Sequence, residues 1–352
     1  MKPRDIVVIG ASAGGIGALV DVVSRLPSRL PATLFVAVHS SANSPGLLPE
    51  LLSRAGPLPA EHAVDGQMFQ HGRIYVAPPD RHLLVEDGTV MVTRGPHENL
   101  FRPAVDPLFR SAARSCGDRV VAIVLSGGLD DGSQGLRLVK QHGGVAVVQD
   151  MDDALVPGMP ASALRAVTVD HVRRACDMGP LIAELADHAP PLESRAMRRP
   201  KRDVAETGTH GLHEEKPPGE LSGFTCPACG GALWEESDRD MVDYACHVGH
   251  RFTGESLATG HDALVEGALW SAVRALEEKA AIRRRLAQRA ELGQLAATAR
   301  VYERSAADSE QQANAVRALL TNDHGPKPEA TLPERRPARR RKRPAKRKAA
   351  SR

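Results

Sequence analysis

The chain opens on four apolar residues in a row, Ile6-Val7-Val8-Ile9. A glycine-rich segment follows, Gly10-Ala11-Ser12-Ala13-Gly14-Gly15, and then Ile16, Leu19, Val20 and Val23 recur at helical spacing. A continuous run of β-branched residues reads as a buried strand, and apolar positions three and four apart read as a helix. The alternation repeats down the chain. Strands are predicted over 33–38, 73–77, 120–125 and 145–148, and helices over 47–54, 105–116 and 135–141. Residues 82–92 read as a hairpin turning at Asp87-Gly88. Strands that are apolar throughout, alternating with helices, indicate an α/β fold over residues 1–188. It would be a doubly wound, mostly parallel sheet with helices on both faces.

Beyond residue 188 the pattern changes. Residues 189–221 are polar and proline-rich, the composition of a flexible linker. Residues 222–256 carry two cysteine/glycine turns around strand-like stretches and read as a zinc-ribbon-like module. Over 260–321 helical periodicity returns, with Leu269, Val273, Leu276 and Ala280 at 4-3-4 spacing, which suits a helical hairpin. Residues 322–352 read as a disordered basic tail.

Composition sharpens this picture in three places. Apolar residues make up 42% and charged residues 25% of the 352, a globular balance. The net charge of +3 conceals a dense basic run from Arg335 to Lys348, which reads either as a solvated end or as a contact for polyanions through phosphate-type electrostatics. No segment reaches the roughly 18 uninterrupted apolar residues of a membrane span. Lys2, Arg4 and Ala11-Ser12-Ala13 imitate a signal peptide, but Asp5 and four glycines break its apolar region. The five cysteines, Cys116, Cys176, Cys226, Cys229 and Cys246, are odd in number and clustered. They point to a reducing, cytoplasmic setting and a metal site rather than a disulfide framework.

Ser12 stands where the first strand hands over to a helix, at the sheet edge where open α/β folds bind ligands. Gly10-x-Ser12-x-Gly14 has the letters of a nucleophile elbow. A dinucleotide fingerprint is the rival, but Ser12 takes the second glycine's place and His39, not an acid, follows the next strand. Asp131, with Asp130 beside it, follows the strand at 120–125. In a parallel sheet these strand ends share one edge, so Ser12, His39 and Asp131 can converge as nucleophile, base and orienting acid. Singly, each is as well explained as a turn, surface or cap residue. The order Ser…His…Asp differs from that of the α/β-hydrolases. Backbone N–H groups at Ala13 and Gly14 could serve an oxyanion. Arg102, in an Arg-Pro loop that opens a helix near Asp106, could hold a substrate carboxylate or brace the loop. No cofactor is needed for such catalysis.

A second constellation is Cys226-x2-Cys229-x16-Cys246-x3-His250, with His247 competing for the fourth place. The spacing suits a closed, tetrahedral structural zinc site. His250 is favoured because a ligand next to Cys246 would strain the chelate. The bland alternative is a metal-free hairpin with reduced cysteines.

Several segments together resemble one family. They are Ile9-Gly10-Ala11-Ser12-Ala13-Gly14-Gly15, His39, Tyr75-Val76-Ala77-Pro78-Pro79-Asp80-Arg81-His82 and Arg102-Pro103-Ala104-Val105-Asp106-Pro107-Leu108-Phe109. Leu125-Ser126-Gly127-Gly128-Leu129-Asp130-Asp131-Gly132 and Gly158-Met159-Pro160 complete the set. Residues 5 to about 187 resemble the catalytic domain of the chemotaxis protein-glutamate methylesterases (CheB). The resemblance implies a Ser12–His39–Asp131 triad that hydrolyses γ-glutamyl methyl esters on the cytoplasmic helices of chemoreceptors, with deamidation of glutamines as a second activity. Gly128 enters as a substrate-side position, where the family usually has methionine. The chain also departs from the family pattern at Ala13, Ser40-Ser41 and Asp130. It begins directly at the catalytic-type strand, so control by a fused phospho-receiver is not expected, and a separate receiver or methyltransferase protein is a candidate partner. The alternative reading is a non-catalytic signalling adaptor that binds partners through its C-terminal regions.

Overall fold

The structure, a computed structural model, describes residues 4–187, 219–238 and 241–322. The predicted linker therefore falls outside the described residues up to 218, and the predicted basic tail from 323 onward.

In chain order the first part comprises β1 (Ile6–Ala11), α1 (Gly15–Ser24), β2 (Thr33–Val38), α2 (Leu48–Ala55), β3 (Ala60–His62), β4 (Ile74–Val76), β5 (His82–Glu86) and β6 (Thr89–Thr93). There follow α3 (Val105–Cys116), β7 (Val120–Val124), α4 (Ser133–Gln141), β8 (Val145–Gln149), α5 (Gly158–Ala166), β9 (His171–Arg173) and α6 (Ala175–Ala186). The main sheet runs β3-β4-β2-β1-β7-β8-β9, and every pairing in it is parallel. The α/β expectation holds. β5 and β6 pair as the predicted hairpin, with Asp87 and Gly88 both at positive φ, 43° and 89°.

β1 lies at the centre, which is why its run is apolar at every position. Val7, Ile9 and Ala11 enter one core layer with Leu19 and Val22 of α1, Leu52 of α2 and Ile182 of α6. Ile6 and Val8 enter the other layer with Leu108 and Phe109 of α3, Leu136 of α4 and Met159 of α5. Period-2 alternation therefore persists in space although both faces are apolar. β3, β9, α5 and α6 were not individually foreseen. β3 and β9 are three-residue edge strands whose Glu61, His62, His171 and Arg173 leave no apolar run to read.

Gly10 is the point at which α3 reaches the sheet. A Cβ built there would lie 2.2 Å from Val105 Cγ1, so only glycine lets the first turn of α3 rest against β1.

The remaining elements are β10 (Glu220–Thr225), β11 (Ala232–Asp238), β12 (Met241–Cys246), β13 (Arg251–Thr253), α7 (Gly254–Leu292) and α8 (Ala296–Asn322). β10–β13 form one antiparallel sheet, so the module begins at Glu220, inside the segment expected to be linker. Its small core is Cys226, Leu233, Cys246, Phe252 and Leu257, with Leu100 from the α/β part packed against it. Residues up to Leu264 form one compact unit, α/β part and module together, and a second unit starts at Val265. In that second unit, Val273, Ala280 and Ala287 on α7 and Ala299, Ala306 and Ala313 on α8 are buried at every seventh position. The two helices are tied by Arg284–Glu310 and Arg317–Glu277 ion pairs, and Arg283 donates to the Ser305 carbonyl. Among the described residues no helix is long and apolar enough to cross a membrane.

Because α3 has no room to retreat from a side chain at position 10, Gly10→Ala should destabilise the protein by about 1–3 kcal/mol. A lowered urea midpoint with unchanged slope checks this.

Candidate active site

Parallel strands deliver three polar residues to one edge. Ser12 follows β1, and its backbone N–H donates to the Ser126 carbonyl just past β7 (2.9 Å). His39 follows β2, and its N–H donates to the Ala11 carbonyl (3.1 Å). Asp131 follows β7 and lies in the loop before α4. These adjacent strands bring the three side chains into a hydrogen-bonded chain. The Ser12 hydroxyl lies 3.0 Å from His39 Nδ1, and His39 Nε2 lies 2.6 Å from Asp131 Oδ2. With the imidazole neutral, Nε2–H donates to Asp131 and Nδ1 accepts from Ser12, the tautomer a general base needs. The His39 and Asp131 side chains are only 3% and 1% exposed, so bulk water does not compete for this relay.

Asp131 is the anchor. Its Oδ2 also accepts from the Val105 N–H (2.6 Å), and its Oδ1 accepts from the Asp106 N–H (3.1 Å) and from the Asn99 amide (2.9 Å). The first-turn N–H groups of α3, which Ala104 does not cap, are thus capped from 26 residues away. Burial works against the anion. The hydrogen bond to His39, with the charge that ring can carry, and the Val105 and Asn99 donors outweigh it, so the pKa falls below the ordinary carboxylate value. Burial first, and the charge of Asp131 second, drive Asp106 the other way, well above its ordinary value.

At the other end of the relay, Ser12 precedes α1, whose N-cap Gly14 has φ 73°. A groove of about 470 Å³ opens here between Ser12, Gly14, Ile16, His39 and Leu155. A helix N-terminus beside a hydroxyl whose base is in place, at the wall of a mainly apolar groove, can bind and attack an ester carbonyl.

The sequence model described as CheB methylesterase matches residues 7–182. A protein of Leptospira interrogans is 37% identical over 169 residues, which cover 48% of this chain and 88% of that protein. The chain belongs to the CheB methylesterase family. An Anaeromyxobacter dehalogenans protein named protein-glutamate methylesterase/protein-glutamine glutaminase 3 is 41% identical over 169 residues, 47% of this chain and 49% of its own length. A Saccharophagus degradans protein named for the same pair of activities is 38% identical, and the match covers 46% of it. The chain thus spans about half the length of these last two relatives. The crystal structure of the Thermotoga maritima CheB methylesterase catalytic domain superposes with a TM-score of 0.50 at 31% identity, covering 53% of this chain and all of that one. Hydrolase chemistry of the methylesterase type follows from this membership.

Within that frame the other candidates fall into place. Ala13 and Gly14 are exposed at the start of α1, beside Ser12. Gly128 faces open space: a Cβ there would meet nothing within 4 Å. Gly127 is the close neighbour, because a Cβ on it would lie 2.8 Å from Ser12 Cβ and 2.1 Å from Met159 Sδ. Arg102 braces the segments that carry Asp80 and Gly95. Its guanidinium donates to Asp80 Oδ1 (2.8 and 2.5 Å) and to the Gly95 carbonyl (2.7 Å). This ion pair holds the Asp80 carboxyl below its ordinary pKa.

Sequence reasoning missed two residues. Phe101 stacks on His39 with ring centroids 3.7 Å apart and planes 11° apart, fixing the imidazole from its face. Asn99 donates to both Asp131 and Asp106. Neither lies in a periodic element, and no local pattern marks them.

The cysteine motif does assemble. The ligand atoms of Cys226, Cys229, Cys246 and His250 all lie within 4.8 Å of one another. His247 is exposed and stands outside this cluster. The Cys229–Cys246 sulfurs are 3.7 Å apart, and His250 Nδ1 lies 3.7 Å from Cys226 Sγ and 3.4 Å from Cys246 Sγ. A tetrahedral zinc ion with metal–sulfur bonds of about 2.3 Å would require edges of about 3.8 Å between sulfurs. The residues present fit a metal of that size.

Asp130 turns away from the relay and accepts from the Thr253 hydroxyl (2.8 Å). Burial lifts its pKa from 3.8 to about 6. A carboxyl with a raised folded-state pKa contributes stability that is complete below its unfolded value and is lost as pH rises through the folded one. Asp130→Asn keeps the acceptor and removes the charge. The variant should therefore gain on the parent between about pH 4 and pH 6 and be more stable by about 1–2 kcal/mol at pH 8, discounting for partial exposure. Denaturant midpoints at pH 5 and pH 8 test the difference.

Proposed function

We propose that this chain is a serine esterase that removes methyl groups from γ-glutamyl methyl esters on chemoreceptor helices, and that it deamidates glutamines at such sites by the same steps. The observation that carries this reading is the unbroken Ser12–His39–Asp131 relay beside the N-terminus of α1. Ser12 Oγ attacks the ester carbonyl while His39 Nδ1 takes the hydroxyl proton. Negative charge on the tetrahedral oxygen meets the backbone N–H groups at Ala13 and Gly14 and the positive end of α1. The carbon–oxygen bond to the methoxy group breaks, and His39 returns its proton to the departing methanol. Water, deprotonated by His39, then attacks the acyl-enzyme and releases the free glutamate and Ser12. Throughout, Asp131 stays ionised and offsets the charge on the imidazolium. The apolar groove, with Ile16 46% and Leu155 79% exposed, suits one face of an amphipathic receptor helix.

The adaptor alternative is not favoured, since a docking surface has no need of a serine–imidazole–carboxylate relay. Cys226, Cys229, Cys246 and His250 hold a structural zinc in this reading. Four protein ligands leave no open position, so the metal's contribution is to the module's fold and not to ester chemistry. A cytoplasmic setting agrees with five unpaired cysteines. Control by a separate receiver or methyltransferase protein, and polyanion binding through residues 335–348, complete the proposal.

Ser12→Ala should lower methanol release from methylated receptor by at least about a thousand-fold without changing the melting temperature. Release at the parent's rate would sink the mechanism. Metal analysis of the purified chain should return one zinc per molecule, and Cys226→Ser with Cys246→Ser should abolish that stoichiometry.

A further inference from the structure

The relay is not built from the α/β part alone. Asn99 is buried, 4% exposed, and every hydrogen-bonding position of its side chain is occupied. Its amide nitrogen donates to Asp131 Oδ1 and Asp106 Oδ2, both at 2.9 Å. Its amide oxygen accepts from the Thr253 N–H and the Ser256 hydroxyl, both at 3.1 Å. Thr253 ends β13 and Ser256 lies in the first turn of α7, where the Ser256 N–H donates back to Thr253 Oγ1 (3.1 Å) in a capping arrangement. The Thr253 hydroxyl donates to Asp130, the residue before the triad acid. Asn99 thus joins the acid of the triad to the C-terminal module.

The backbone agrees with the side chains. Asn99 and Leu100 have φ of 50° and 73°, a left-handed pair without glycine. Such a pair persists where its surroundings over-determine it. Here the surroundings are the module: the Asn99 N–H donates to the Arg251 carbonyl of β13 (2.9 Å), and Leu100 packs against the module's core. Phe101, next along, is the residue stacked on His39.

We infer that the C-terminal module is a working part of the active site: Thr253 and Ser256 are positioning residues that hold Asn99 on Asp131 and, through the same loop, Phe101 on His39. This rests on the serine-esterase reading and extends it, because it assigns to the module the alignment of the base. Without that hold the 98–101 loop can leave its left-handed conformation, and the imidazole loses both its oriented carboxylate and its stacking partner. A misplacement of about 1 Å in such a relay costs up to about a hundred-fold in rate.

The test uses the full chain and a fluorophosphonate probe, whose rate of labelling Ser12 reports nucleophile activation whatever the natural substrate. The double variant Thr253→Val/Ser256→Ala, and separately Asn99→Ala, should label Ser12 at least about ten-fold more slowly than the parent. On a methyl ester substrate kcat should fall with KM unchanged within about two-fold. The conservative variant Thr253→Ser should retain the parent's rate, which a general loss of packing would not predict. Melting temperatures identify any variant that fails to fold, and Asn99→Ala, on the other side of the contact, then carries the test. Labelling at the parent's rate by folded double variant and Asn99→Ala alike overturns this inference and leaves the esterase intact. Failure of the parent itself to label, with the Ser12→Ala background, overturns the esterase reading and this inference with it.

Discussion

A carboxylate buried to 1% exposure is the constraint around which this molecule is arranged. An unpaired buried anion costs several kcal/mol, so Asp131 must be surrounded by donors. Four are supplied: the Val105 and Asp106 N–H groups, the Asn99 amide and the His39 ring. Two of these belong to the first turn of α3, so α3 must point its N-terminus at the sheet edge. That orientation brings Val105 against β1, and Gly10 is the residue small enough to allow it. Two residues later β1 ends at Ser12. The requirement to satisfy one anion thereby places the strand that ends at Ser12, the loop that carries Asp131 and the helix between them.

Two helix N-termini serve the two ends of the relay. The positive end of α3 faces Asp131, and that of α1 lies beside Ser12. The first stabilises the charge on Asp131; the second stands where charge develops in the proposed acyl transfer. Asp106 sits in the first turn of α3 with its carboxyl pushed well above its ordinary pKa, by burial first and by its neighbour's charge second. Its carboxyl still accepts from the Gly135 N–H (2.7 Å), which ties α3 to α4.

Membership of the CheB methylesterase family explains the α/β part but not the residues after 187. The four-stranded module is packed into the same compact unit, and Leu100 crosses into its core. The half-buried Glu98–Arg110 ion pair (2.8 Å) lies beside that crossing and holds the loop from the α/β side. A cluster of three cysteines and a histidine, the proposed zinc site, lies in a sheet whose apolar core is only five residues. So small a core needs such a staple.

The amino-acid sequence by itself determined what local repetition can encode. The apolar runs of β1, β2, β7 and β8 and the periodic face of α3 mark their elements within a residue or two, because a buried strand or helix must repeat its pattern over its own length. Ser12, His39 and Asp131 were legible as strand-end residues, since parallel topology sends all such ends to one edge. The Cys-x2-Cys and Cys-x3-His spacings were legible because a chelate is closed by its own short loop. Only the tertiary structure decided which neighbours meet across long separations. Arg102 pairs with Asp80, Gly127 abuts Ser12, and Phe101 covers His39. Asn99 meets Thr253 and Ser256 across more than 150 residues, and no period or spacing records a contact of that kind. It exists because two separately patterned parts of one compact unit bury their polar edges against each other, and those edges must then satisfy one another's hydrogen bonds.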